Sequence, residues 1–102
     1  MRKVYIIIAT NRPRQEVMEE FFTERRKLEA AGYEVAAIDL DGPGTKTMPC
    51  SGSVINRSLF IAGVGLQHMA CCDSVHLVPG WANDPRCAVE YRASVAFRLE
   101  EL

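Results

Sequence analysis

The run Val4-Tyr5-Ile6-Ile7-Ile8-Ala9 leaves this chain few ways to fold. A strand with one wet face alternates apolar and polar residues. Residues 3–9 offer no polar face, so a strand here must be covered on both sides. The run is too short to cross a membrane. Thr10-Asn11-Arg12-Pro13-Arg14 follows it at once, where a secretory leader would carry a small-residue cleavage site. The expectation is a cytoplasmic protein with no membrane partner.

The remaining elements follow from spacing. Asn11 is placed as the cap of a helix that Pro13 helps to start. Val17, Met18, Phe21, Phe22, Leu28 and Ala31 recur at helical spacing, with acids early and Arg25-Arg26-Lys27 late, as the helix dipole favours. Gly32 suits the stop. A second strand is predicted over 34–39, and strand–helix–strand with short joins reads as a right-handed parallel unit. Residues 41–53, rich in Gly, Pro, Ser and Thr, form a long loop, which in a compact domain is mobile or functional. A second helix is read over 54–71, weakened by Gly63 and Gly65. A third strand covers 74–78 and residues 79–83 turn. Asp84-Pro85 then starts a last helix running to about Glu100. The order βαβαβα describes a small three-layer α/β parallel-sheet domain, flavodoxin- or Rossmann-like, ending after its last helix. Ligands of such sheets bind beyond the carboxyl ends of the strands. The segments after Ala9, Asp39 and Val78 should therefore meet at one site.

At 102 residues the chain is read as a single domain, 1–102. Twelve Lys+Arg against thirteen Asp+Glu give a net charge of −1, which argues against nucleic acid as a partner. Cys50, Cys71, Cys72 and Cys87 lack the CxxC spacing of a tetrahedral metal site and read as buried thiols. His68 and His76 are read as helix-face and strand residues without catalytic duty. No metal and no cofactor are expected. GxGxxG, P-loop, GxSxG and HExxH motifs are all absent.

Topology gathers Tyr5, Arg12, Arg14, Trp81, Asp84 and Glu90 near the strand ends. Val4-Tyr5-Ile6, Ala31-Gly32-Tyr33-Glu34-Val35 and Cys72-Asp73-Ser74-Val75-His76-Leu77-Val78-Pro79-Gly80-Trp81 resemble the nucleoside 2-deoxyribosyltransferase superfamily. The likeness is greatest to a small branch common in phages and prophages. It implies a glutamate that attacks the anomeric carbon of a nucleoside, giving a glycosyl-enzyme that water or a second base resolves. The superfamily's DxGxxxE motif falls on Asp84 to Glu90. Glu90 would then be the nucleophile, Tyr5 would position it, and Asp84 would assist sugar or base binding. An anionic carboxylate suits an oxocarbenium-like transition state. The chain departs from the pattern at Arg86, where the motif has Gly, and at Gly65, where relatives carry Asp. Ile8-Ala9-Thr10 replaces a glycine-containing turn, and no further strand is read after the last helix.

Each residue also has a plainer reading. Glu90 would pair with Arg86 at i, i+4 on an exposed helix face. Asp84 would be an N-cap, and Tyr5 core. Trp81 would stack on a base or cover the helix start. Arg12 and Arg14 would hold a phosphate at a helix N-terminus, or be an ordinary solvated pair. Asp39 would meet a ribose hydroxyl or cap a loop. The expectation is an N-glycosidic bond hydrolase or transferase acting on a nucleoside or nucleoside 5′-monophosphate. The alternative is a non-catalytic nucleotide-binding or protein-interaction module. The resemblance and a narrow three-strand sheet both point to a homo-oligomer.

Overall fold

The computed structural model describes residues 2–36 and 56–102. Within them β1 (Lys3–Ile7), α1 (Arg14–Ala30), β2 (Glu34–Val35), α2 (Arg57–Met69), β3 (Ser74–Leu77), a single 3-10 turn (Trp81–Asn83), α3 (Pro85–Ala96) and β4 (Glu100–Glu101) follow in order. The sheet runs β2-β1-β3-β4 and every pairing is parallel. This is a three-layer α/β parallel-sheet domain.

β1 shows why. Val4, Ile6 and Ile8 pack on one side with Val17, Phe21 and Leu28 of α1. Tyr5, Ile7 and Ala9 point the other way, toward Met69 of α2 and Cys87 of α3. Alternate side chains thus enter two separate cores, as the absence of a polar face demanded.

Four boundaries differ from the sequence reading. α3 stops at Ala96, because Arg98 turns left-handed at φ 59° and the Leu99 N–H closes on the Ser94 carbonyl at 2.9 Å. The chain therefore does not end on that helix. Glu100 and Glu101 add a fourth strand beside Ser74 and Val75. Asn11 does not cap α1: Pro13 holds the cap position without a side-chain bond, while Asn11 Nδ2 donates to the Asn83 carbonyl at 3.1 Å. α2 is capped by Asn56, whose side chain accepts from the Leu59 N–H. Gly32 does end α1, at φ 95°. β2 ends at Val35; residues 37–39 of the expected second strand, with Asp39, the expected loop over 41–53 and Cys50 lie outside the described residues.

Cys72 and Cys87 are buried, but Cys71 is exposed, against expectation. His76 ties β3 to α1 through Glu24 Oε2 at 2.9 Å. Among the described residues no helix is long and apolar enough to cross a membrane.

Candidate active site

α3 turns Cys87, Glu90 and Ser94 onto one buried face, at helical spacing. A glutamate therefore occupies a position that packing normally gives to an apolar side chain. Glu90 is 0% exposed, so the exposed-face reading of this residue is overturned. A carboxylate so placed needs partners to offset its lost hydration. Both partners meet the same oxygen. The Tyr5 hydroxyl donates to Oε2 at 2.7 Å and Arg86 Nη1 donates to it at 2.8 Å. Oε1 is buried with no hydrogen-bond partner.

The site exists because three elements converge. Tyr5 comes from β1, Glu90 and Arg86 from α3, and Gly65 from α2. A Cβ at Gly65 would collide with Glu90 Oε2 and lie 2.8 Å from the Tyr5 hydroxyl. Only a glycine leaves room for this pair.

Arg86 spans the group. Its Nη2 donates to the Ile8 carbonyl at 2.6 Å and reaches the Thr10 hydroxyl at 3.4 Å. Asp84 secures the same corner: Oδ1 accepts the Arg86 N–H and Oδ2 accepts the Thr10 N–H, each at 3.0 Å. The N-cap reading of Asp84 is thus seen directly, with a tie to the loop after β1.

Burial pushes the Glu90 carboxyl up, against the opposing pull of Arg86 and the Tyr5 hydrogen bond. The Tyr5 hydroxyl is also pushed up, first by burial and then by the Glu90 charge, so it remains a donor. Burial opposes the charge on Arg86, but Glu90, Cys87, Tyr5 and Asp84 together outweigh it and the guanidinium titrates higher than usual.

A cleft of about 250 Å³ opens beside this cluster, lined by Thr10, Asn11, Ile61, Asp84, Pro85 and Arg86. It lies past the ends of β1 and β3, where such sheets bind ligands.

The other candidates lie elsewhere. Arg12 is engaged by Glu16 at 3.1 Å, Glu20 at 2.8 Å and the Ala9 carbonyl, so it is not an open phosphate hand. Arg14 is the exposed first residue of α1. Trp81 leans on Tyr91, with ring centroids 4.7 Å apart, and covers the core beneath α3. Sequence reasoning did not foresee that Arg86 bridges Glu90 to the end of β1, or that Gly65 makes space for the carboxylate. The signal for Gly65 was a glycine in mid-helix, which costs stability unless something needs the volume.

Comparison with family models, curated proteins and solved structures returned no match.

Proposed function

We propose that this chain acts on the N-glycosidic bond of a nucleoside, with Glu90 as nucleophile. The observation carrying this reading is the buried Tyr5–Glu90 contact. The Tyr5 hydroxyl holds Oε2 while Oε1 has no partner, the division of labour that a nucleophilic carboxylate requires. The resemblance to nucleoside 2-deoxyribosyltransferases, which implied this pair, supports it.

In this reading an Oε1 electron pair forms a bond to C1′ as the C1′–N bond breaks. That bond's electrons leave on the base, which takes a proton from water. Water or a second base then attacks C1′, the ester bond returns its electrons to Glu90, and the attacking group's proton passes to solvent. Tyr5 orients Oε2. Asp84 acts through position, fixing the start of α3 against Thr10. A nucleoside fits better than its 5′-monophosphate, because Glu16 and Glu20 already neutralise Arg12. The cytoplasm, where free nucleosides are handled, is the proposed setting. A homo-oligomer is proposed too, with Phe97 (81% exposed) and Val95 at its contact. Light scattering that finds only monomer would reject the oligomer.

The test is release of free base from a panel of nucleosides, followed by chromatography. Glu90→Gln should lower the rate by orders of magnitude and leave binding little changed, since the lost anion matters most in the transition state. A 2-deoxy-2-fluoro nucleoside should attach its sugar to Glu90.

A second reading, a nucleoside-binding module without turnover, is favoured by the complete burial of Glu90 under Arg86. Binding with no base released would select it.

A further inference from the structure

Arg86 lines the cleft, while Glu90 lies behind it with no exposed surface. A ligand approaching Glu90 from the cleft meets the guanidinium first. The groups around the carboxylate are few: Tyr5 from β1, the bare Gly65 of α2, and Arg86 on its own helix, with Cys87 and Asp84 alongside. Of these Arg86 alone is cationic. It is planar with delocalised charge, as is the oxocarbenium centre that a glycosidic nucleophile stabilises. A second acid stands ready, for Asp84 Oδ2 is 3.8 Å from Arg86 Nη2.

We propose that Arg86 is a latch: its guanidinium fills the place before Glu90 that a nucleoside's anomeric centre would take, and it passes toward Asp84 as the nucleoside enters. The inference rests on the glycosidic reading of Glu90. The chain then stores its nucleophile as an internal ion pair, and entry of the sugar exchanges one planar cation for another. Arg86 is a positioning residue here, acting through Glu90.

The experiment compares wild type with Arg86→Ala, the milder Arg86→Gln, Asp84→Asn and the Arg86→Ala/Asp84→Asn double variant. Circular dichroism first establishes that each is folded. Sugar transfer from 2-deoxy-2-fluoro nucleosides is followed by intact mass, and amidation of Glu90 by a carbodiimide with glycine ethyl ester is followed by peptide mass. Loss of Arg86 pushes the Glu90 carboxyl further up, so labelling is compared on the alkaline plateau of each protein's pH profile. There the latch predicts that both Arg86 variants take the label at least about tenfold faster than wild type. Asp84→Asn should slow labelling only while Arg86 is present, which a purely structural role for either residue would not produce. Asparagine keeps the cap and removes the receiving charge. If wild type labels as fast as the Arg86 variants, or Asp84→Asn slows labelling equally without Arg86, the latch is overturned and the glycosidic reading stands. If no protein takes the label, the glycosidic reading fails and the latch falls with it. Where labelling occurs, amidation compared at about pH 4.5, where the raised Glu90 carboxyl is protonated in every protein, should be faster without Arg86, and equal amidation overturns the latch.

Discussion

Gly65 and Glu90 share a space that neither could occupy if residue 65 carried a side chain. The carboxylate of α3 rests on the bare backbone of α2, with the Tyr5 hydroxyl beside it. Replacing Gly65 with Ala would add helix propensity worth about 1 kcal/mol, but overpacking against Oε2 should cost about 1–3 kcal/mol and prevail. Gly63, where a Cβ meets nothing within 4 Å, is the control. Urea midpoints should fall for Gly65→Ala and rise for Gly63→Ala. The Gly65→Ala penalty should shrink when Glu90 is also Ala, and an unchanged penalty would remove the proposed steric link.

The Glu90–Arg86 pair should show the asymmetry of buried charges. Arg86→Met leaves Glu90 uncompensated and is expected to cost about 3–5 kcal/mol near neutral pH, whereas Arg86→Met with Glu90→Leu should come close to wild type. The pH dependence has a definite sign. Burial raises the folded carboxyl above its ordinary value of 4.5. Its stabilising contribution is therefore complete below that value and is lost as pH rises through the folded value. The deficit of Arg86→Met relative to wild type should be small at about pH 4 and widen upward. Denaturant titrations in which it widens toward acid would contradict this assignment.

Arg12 is spoken for by Glu16 and Glu20, and the hydrogen bond to Glu20 is the first cause of its raised titration. Arg12→Ala should therefore weaken nucleoside and monophosphate binding to the same small extent. Calorimetry showing a selective loss for the monophosphate would restore the phosphate role.

Thiol reactivity offers an inexpensive check on the two cores. Burial pushes Cys72 up to about 11 and Cys87 up to about 12, while Cys71 is exposed. Thiolate is the reactive form. Iodoacetamide at about pH 8 should modify Cys71 well before the other two, as peptide mass would show, and all three should react alike in denaturant. Early modification of Cys87 would mean that α3 does not cover β1 as described.

The double-faced strand was legible because six consecutive residues, Val4 to Ala9, lack a polar side, and a parallel sheet follows from that with few alternatives. α1 and its glycine stop were legible because dipole, spacing and Gly32 agree. β4 was not. Glu100-Glu101 has no strand pattern, and the turn before it uses a left-handed arginine where a glycine would have announced it. Such a two-residue strand is held by backbone bonds to Asp73 and Val75, which composition does not record. In the site, the nearness of Tyr5 and Glu90 followed from topology and the resemblance. The complete burial of Glu90 did not, because a glutamate two turns into a helix ordinarily keeps its carboxylate in water. Only the small residues at 87 and 94, sharing its face, hinted otherwise.

The register of β1 against β3, Val4 beside Ser74 through Ile7 beside Leu77, also governs how the chain reaches its fold. β1 leaves the ribosome about seventy residues ahead of the strand that flanks it, a wait of roughly 4–14 s at ordinary elongation rates. Until α2 follows, Ile6-Ile7-Ile8 is a sticky ribbon with α1 to shelter one side and its other face uncovered. Such long-range parallel pairing forms slowly and exposes nascent chains to aggregation. The strand that positions Tyr5 is thus also a segment exposed to aggregation during synthesis, and slowed translation between α1 and β3 should cost yield sooner than it costs activity per folded molecule.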